Sequence, residues 1–311
     1  MTRLRRRDNW HPGGARHSLA ALSAAFACLP VLLASTATTA AAADVARGKH
    51  LFAMAGGCGC HTGPDGPVGA GGGKVATPFG TFYGTNITAD EETGIGKWSD
   101  TEIAAAIRHG WLPDGSAESP AMPYYRYAGM SDRDVADLIA YLRSLPPVQR
   151  PNKDHEVELP FARLAYRAWR FLFVDAPAPA ATAPSDGVSR GRYLVDHVAI
   201  CGDCHTPRSR FGAEDGTRYL AGTAAGPGGA KVPNITPHRT GIGDWDASDI
   251  ISVLTLGMLP NFDNVQGLMA EVVDGKAGGP GYKDAPKSDL DAIAAYLNTV
   301  PLIEHDVSSK P

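Results

Sequence analysis

The chain has 311 residues, of which 43% are hydrophobic and 20% are charged. This composition is typical of a globular protein of one or two domains and argues against a disordered chain. The formal net charge is −4 at pH 7. An acidic chain is poorly suited to binding the phosphates of nucleic acid, so we predict no nucleic-acid partner.

The N-terminal segment predicts an export signal. Five arginines precede or flank an apolar run from about residue 19 to residue 33, and small residues follow as far as Ala43. A basic region, a short apolar region and a small-residue cleavage site are the parts of a secretory signal. We predict that residues 1–43 are removed, which leaves 24 basic and 32 acidic residues. The alternative is a retained membrane anchor, for which the apolar run is short.

The first cysteine motif is Cys58-Gly59-Cys60-His61. A c-type haem is attached through Cys-x-x-Cys-His, where both thiols bond the porphyrin and the histidine binds the iron. This motif is one residue short of that spacing. We expect Cys60 to form a thioether and His61 to bind iron. Cys58 either forms a second thioether through a tighter loop or remains a thiol.

The second motif, Cys201-Gly202-Asp203-Cys204-His205, has the complete spacing. It predicts a second covalent haem, with thioethers at Cys201 and Cys204 and His205 as the iron ligand. A zinc site would need a second pair of ligands at a suitable spacing, which makes zinc the less favoured alternative.

The two halves of the chain repeat each other. Asn86-Ile87-Thr88 recurs as Asn234-Ile235-Thr236, and the segment 93–98 recurs as 240–245. An internal repeat of this length indicates two similar domains. We predict domains at 44–149 and 187–303, a linker at 150–186 and a tail at 304–311.

Helical periodicity recurs in both halves. Apolar residues at helical spacing predict helices over 131–145 and 288–300, with Ser131 and Ser288 as N-caps. Capping residues at Ser99 and Asp246 predict a further helix after each repeated tryptophan. No long alternating strand pattern occurs, so we predict an all-α fold of short helices around a flat prosthetic group.

The linker has two parts. Residues 161–174 have a helical pattern with arginines at every third or fourth position, and a stiff Pro-Ala tether follows. Two interpretations remain open for this helix. It packs across both domains, or it forms a docking surface for a membrane or a partner subunit. Burial of Trp169, Phe171 and Phe173 would exclude the docking surface.

Methionines in equivalent positions predict the second axial ligands. Met122 lies 24 residues after Trp98, and Met269 lies 24 residues after Trp245. Methionine commonly fills the distal position of an electron-transfer haem. We predict Met122 and Met269 as distal ligands. Histidine ligation is the alternative, but the remaining histidines of the two halves do not match in position.

Four segments resemble the haem domains of cytochrome c subunits that serve periplasmic alcohol, gluconate and aldehyde dehydrogenases. They are TPFGTFYGTNIT (77–88), TGIGKWSD (93–100), AMPYYRYAGMSD (121–132) and VPNITPHRTGIGDW (232–245). The resemblance implies two tandem class I cytochrome c domains. Those subunits often carry a third haem domain and a C-terminal membrane-binding helix, for which this sequence shows no motif.

We therefore predict a periplasmic dihaem cytochrome c, soluble after signal cleavage, that moves single electrons. A dehydrogenase is the expected donor and another cytochrome or an oxidase is the expected acceptor, while membrane contact is left open and is not predicted. The alternative is a dihaem enzyme, either a peroxidase or a thiosulfate dehydrogenase. A peroxidase needs an open sixth position on one iron, which two matched methionines oppose.

Overall fold

Two pairs of crossed helices form the framework of the fold, Val45–Met54 with Asp132–Ser144 and Gly187–His197 with Lys287–Leu297. The computed structural model describes residues 42–157 and 161–307. The predicted signal up to residue 41 and the end of the predicted tail, 308–311, lie outside these residues. The helices are α1 Val45–Met54, α2 Asp100–His109, α3 Tyr124–Tyr127, α4 Asp132–Ser144, α5 Ala162–Phe173, α6 Gly187–His197, α7 Cys201–His205, α8 Ala247–Leu256, α9 Leu268–Asp274 and α10 Lys287–Leu297.

A glycine lies at each helix crossing, at equivalent positions of the repeat. A Cβ atom on Gly48 would lie 1.9 Å from the carbonyl oxygen of Asp137, and one on Gly191 would lie 1.9 Å from that of Ala292. No real Cβ atom comes this close to an oxygen. The backbones of the paired helices therefore touch, and any larger residue at either glycine would push them apart.

Each crossing is also fixed by an arginine–aspartate pair. Arg47 of α1 binds Asp134 and Asp137 of α4, with 2.6 Å between Nη1 and Oδ2 of Asp137. Arg190 of α6 makes a bidentate pair with Asp289 of α10, with both N–O distances at 2.9 Å. Both carboxylates of α4 are fully buried. Buried carboxylates need such partners, because unpaired they would be strongly destabilising.

Three of the four predicted helix N-caps form. Ser99, Ser131 and Asp246 each accept a hydrogen bond from a backbone N–H in the first turn of the helix that follows. The prediction of Ser288 as a cap is wrong, because α10 begins at Lys287 after Pro286. The carbonyl of Pro286 already accepts the amide of Asp289 at 2.9 Å, so the first turn forms earlier than the serine suggested.

A short β-hairpin departs from the all-α prediction. Strands β1 Lys74–Thr77 and β2 Gly80–Tyr83 pair antiparallel around a two-residue turn, with Val75 opposite Phe82 and Ala76 opposite Thr81. At four residues each, the strands are too short for an alternating pattern to stand out in the sequence. The described residues have a substantial helical content, in line with the prediction, but this small sheet departs from an all-α fold.

One hydrophobic core runs through both halves of the chain. It joins Leu51, Phe52 and Leu138 of the first half to Leu194 and Ile293 of the second half. From Ala42 onward the chain forms one compact unit. The two halves thus share a core, although each has its own pair of crossed helices.

Helix α5 contacts both halves but buries little of itself. The ring of Trp169 lies 5.9 Å from that of Tyr125, and its indole N–H donates to the carbonyl of Phe211 at 2.8 Å. Phe171, however, is 88% exposed and Phe173 is 41% exposed. The structure therefore does not exclude a docking surface. Across the described ranges, every helix is too short or too polar to cross a lipid bilayer.

Candidate haem sites

The second cysteine motif forms the short helix α7, entered through Ile200 in a left-handed conformation (φ 45°). The Nδ1 atom of His205 lies 2.9 Å from the carbonyl oxygen of Pro233. This carbonyl holds the proton on Nδ1, so the lone pair of Nε2 is directed away and can bind a metal. Burial lowers the pKa of His205. The neutral imidazole that a metal requires is therefore favoured.

The first motif has the same arrangement. The Nδ1 atom of His61 lies 2.8 Å from the carbonyl oxygen of Thr85. Burial lowers the pKa of His61, and the hydrogen bond to Thr85 opposes this shift. Both imidazoles are thus oriented by a backbone carbonyl from the segment just before a repeated Asn-Ile-Thr motif. This shared geometry is what a proximal haem ligand needs.

The repeated Asn-Ile-Thr motif holds the carbonyl of Thr85 in place. The buried side-chain amide of Asn86 donates to Thr93 Oγ1 at 3.0 Å and to the carbonyl of Val148 at 2.7 Å. Its oxygen accepts the hydroxyl of Thr88 at 2.7 Å. These bonds tie the loop to the chain that follows α4, so the position of the neighbouring carbonyl is fixed.

The second half repeats this network. Asn234 donates to Thr240 Oγ1 at 3.1 Å and to the carbonyl of Ile303 at 2.8 Å, and it accepts from the hydroxyl of Thr236 at 2.8 Å. Both asparagines are only 2% exposed. The motif therefore serves the structure, by presenting the carbonyl of Pro233 to His205.

The cysteines suit covalent attachment better than metal binding as thiolates. Burial raises the pKa of Cys58, Cys201 and Cys204 to about 12. A free thiolate at these buried positions would carry a charge that is costly to desolvate, whereas a thioether carries no charge. In the part of the chain that the structure describes, no three His, Cys, Asp or Glu side chains are grouped to hold a metal ion. The residues present thus fit a haem held by thioethers.

The shortened first motif contains an unusual turn. Gly56, Gly57 and Cys58 are three consecutive residues with positive φ, at 65°, 63° and 46°. A Cβ atom on Gly57 would lie 2.4 Å from the carbonyl oxygen of Pro280, so only glycine fits there. This turn brings Cys58 against the hydrophobic core, as Cys201 is in the second motif.

The surroundings of Cys58 also match those of Cys201. Burial raises the pKa of Tyr141, and the nearby Cys58 adds to the shift. Burial raises the pKa of Tyr296, with smaller contributions from Asp196 and Cys201. The two tyrosines occupy equivalent positions in α4 and α10. Cys58 therefore lies where the first cysteine of a complete motif would lie.

The methionines differ in burial. Met54 and Met130 are at most 1% exposed, inside the core. Met122, in the loop before α3, and Met269, in the first turn of α9, are partly buried and pack against the edge of the core. Their assignment as distal ligands stays a prediction.

Polar contacts join the second motif to the first half of the chain. The hydroxyl of Tyr125 lies 3.4 Å from Oδ1 of Asp203 and 3.2 Å from Oε1 of Glu214. Arg126 forms an ion pair with Glu214, and Arg208 forms one with Asp203. The segment after Met122 is therefore packed on the loop that carries Cys201 and Cys204.

The sequence did not reveal the residues that orient the imidazoles. Thr85 and Pro233 act through backbone carbonyls, and a backbone carbonyl has no side-chain signature. The sequence contained only an indirect indication of their role, because Thr85 and Pro233 each directly precede an asparagine of the repeat.

Comparison with known proteins identifies the family. Residues 45–146 match the cytochrome c family model. The chain is 40% identical over 271 residues to a diheme cytochrome c-type protein of Cereibacter sphaeroides, covering 84% of this chain and 87% of that protein.

Two further relatives are named as subunits of dehydrogenases. The fructose dehydrogenase cytochrome subunit of Gluconobacter japonicus is 36% identical over 83% of this chain and 53% of its own length. The gluconate 2-dehydrogenase cytochrome c subunit of Pantoea cypripedii is 38% identical over 86% of this chain and 64% of its own length. This chain thus spans somewhat more than half of each of these subunits.

The match over nearly the whole length of a dihaem relative agrees with two motifs whose histidines are held in the same way. The chain carries two covalently bound haem c groups. It belongs to the cytochrome c family.

Proposed function

We propose that this protein is a periplasmic electron carrier that accepts single electrons from a dehydrogenase and passes them to another cytochrome or an oxidase. The observation that carries the proposal is the paired geometry of His61 and His205, each oriented by a backbone carbonyl. The relatives named as cytochrome subunits of dehydrogenases support a dehydrogenase as the donor.

The proposed roles of the residues follow from this geometry. Cys58 and Cys60 hold one haem and Cys201 and Cys204 the other, while His61 and His205 are the proximal ligands and Met122 and Met269 the distal ligands. When bound, haem supplies one-electron redox chemistry at its iron. The carbonyls of Thr85 and Pro233 orient each imidazole by accepting from Nδ1, and burial favours the neutral ring.

We further propose two tandem cytochrome c domains, at 44–149 and 187–303, joined by the linker at 150–186. The matching helix crossings, ion pairs and asparagine networks of the two halves support this division. The shared core implies that the two domains act as one body and do not move as separate modules.

Removal of an export signal near Ala43 is also part of the proposal. Asp44 caps α1 by accepting the amides of Ala46 and Arg47, and its own amide donates to Oδ1 of the buried Asp137 at 2.7 Å. Cleavage after Ala43 would turn that amide into a charged ammonium group facing a carboxylate. Mass spectrometry of the exported protein should then give Asp44 as the first residue.

The test uses purified holoprotein with a purified gluconate 2-dehydrogenase catalytic subunit as the donor. We expect the haem spectrum to change from that of the oxidised form to that of the reduced form only when dehydrogenase and gluconate are both present. We also expect two haems per chain. Turnover of peroxide or thiosulfate by the holoprotein alone would contradict the proposal and favour a dihaem enzyme.

A further inference from the structure

One side of α5 carries an apolar stripe that points to solvent. Phe161, Leu164, Phe171 and Leu172 are 84%, 67%, 88% and 66% exposed, and Ala168 between them is also exposed. The spacing of Leu164, Ala168, Phe171 and Leu172 places them on one face of the helix, and Phe161 lies at its N-terminal end. The solvent-facing side of a surface helix is normally polar, so an exposed apolar stripe on α5 is unusual.

Trp169 packs against the protein, and three arginines on the flank of α5 help to hold the helix in place. Arg167 donates to the carbonyl of Gly115 at 2.6 Å, and Arg170 donates to that of His109 and lies over the ring of Trp111. Arg163 pairs with Asp114 at 3.1 Å. These contacts fix the rotation of the helix about its axis. The outward direction of the stripe is therefore set by the fold.

The charge of α5 is opposite to that of the protein. Residues 161–174 contain three arginines and no acidic residue, whereas the chain as a whole is acidic. A surface cleft of about 380 Å³ lies beside the stripe, lined by Arg167, Arg170, Trp111 and Phe171 together with Val174 and Ala176. Arginine and tryptophan beside exposed phenylalanine and leucine are the composition of helices that lie in a membrane interface.

We propose that α5 docks this protein on the surface of an anionic lipid bilayer, with the stripe in the headgroup and acyl boundary. The local positive charge is complementary to acidic lipids. A second copy of the chain is a poorer occupant, because stripe-to-stripe packing would bring six arginines together. The ring contact between Trp169 and Tyr125 and the bond from Tyr125 to Asp203 place the second haem motif close to the docked surface.

Vesicle binding tests the proposal independently of electron transfer. The mature holoprotein is sedimented with vesicles of phosphatidylcholine alone and of phosphatidylcholine with phosphatidylglycerol. We expect binding that is stronger with phosphatidylglycerol and weaker at high salt. The triple variant Leu164→Gln/Phe171→Gln/Leu172→Gln should bind at least about tenfold more weakly, with an unchanged haem spectrum as evidence of folding.

A matched control removes exposed apolar side chains outside α5. Leu256 and Phe262 are 69% and 84% exposed, and Leu256→Gln/Phe262→Gln should bind vesicles like the parent. The proposal is overturned if the parent does not bind either vesicle or if the stripe variant binds equally well. If the parent forms a dimer in sedimentation equilibrium and only the stripe variant does not, the stripe is the contact with a second copy of the chain. If the parent does not bind vesicles and the stripe variant loses binding to a purified dehydrogenase subunit, the stripe is the contact with a protein partner.

Discussion

The hydroxyl of Tyr193 in α6 donates a 2.5 Å hydrogen bond to Oδ2 of Asp134 in α4, and both side chains are buried. The same hydroxyl accepts the amide of Ser131, the cap of α4, at 2.9 Å. One phenol thus joins the two halves at the start of a framework helix. Because Asp134 also binds Arg47 of α1, three framework helices meet at this carboxylate.

Tyr193→Phe should therefore destabilise the protein. It removes one partner of a fully buried carboxylate and leaves the amide of Ser131 without its acceptor, which costs about 1–3 kcal/mol. Urea unfolding, monitored by tyrosine and tryptophan fluorescence, measures the change. Tyr83→Phe is the matched control, because the hydroxyl partner of Tyr83 is Glu156, whose side chain is 60% exposed. Equal losses in the two variants would refute the role of the buried bond.

Cys58 should be bonded to haem despite the shortened motif. Its position against the core, near Tyr141, matches that of Cys201 near Tyr296. We expect denatured holoprotein treated with iodoacetamide to show no alkylation at Cys58 or Cys201 when its peptides are mapped by mass spectrometry. Alkylation of Cys58 with Cys201 protected would mean that the first haem is held by Cys60 alone.

Met122→Ala and Met269→Ala should each alter one haem and leave the other intact. Loss of a thioether ligand lowers the reduction potential of the affected iron, because methionine raises it. The weak far-red absorption band of methionine-ligated ferric haem should fall by about half in each single variant and vanish in the double variant. Met130→Leu, in the buried core, is the control and should keep the full band. A full band in the double variant would exclude both methionines as ligands.

Glu118 should make stability depend on pH. Burial raises the pKa of its carboxyl from 4.5 to about 7. Between these values the folded protein keeps a proton that the unfolded chain has lost, so stability falls as pH rises from about 4.5 to 7. Glu118→Gln should remove this fall, which is on the order of 2 kcal/mol.

Thermal unfolding of the Glu118 variant across pH 5–7 provides the measurement. Glu91→Gln, at an exposed position, shows the effect of losing one surface carboxylate. If the parent and Glu118→Gln have the same pH dependence, Glu118 is not protonated in the folded protein.

Features that depend on a short stretch of sequence, or on its repetition, could be predicted. The capping box of Ser99 and Glu102 forms as expected, because each partner lies within one helical turn of the other. The repeat predicted that Asn86 and Asn234 would have the same structural role, and the bonds to the threonines of the two repeats and to a following carbonyl correspond. The hairpin was missed because four-residue strands carry too little pattern, and Ser288 failed as a cap because Pro286 starts the helix first.

The amino-acid sequence by itself determined the two cysteine motifs, the repeat and two of the framework helices, α4 and α10, because these depend on neighbours within a few positions or on direct self-similarity. Only the tertiary structure decided which carbonyl orients each imidazole, that the turn at Gly57 places Cys58 against the core, and that an apolar stripe of α5 points outward. Each of these depends on contacts between residues far apart in the chain, such as Gly57 with Pro280 and Arg170 with His109. Local periodicity gives the faces of a helix, but only its packing partners select the face that meets solvent.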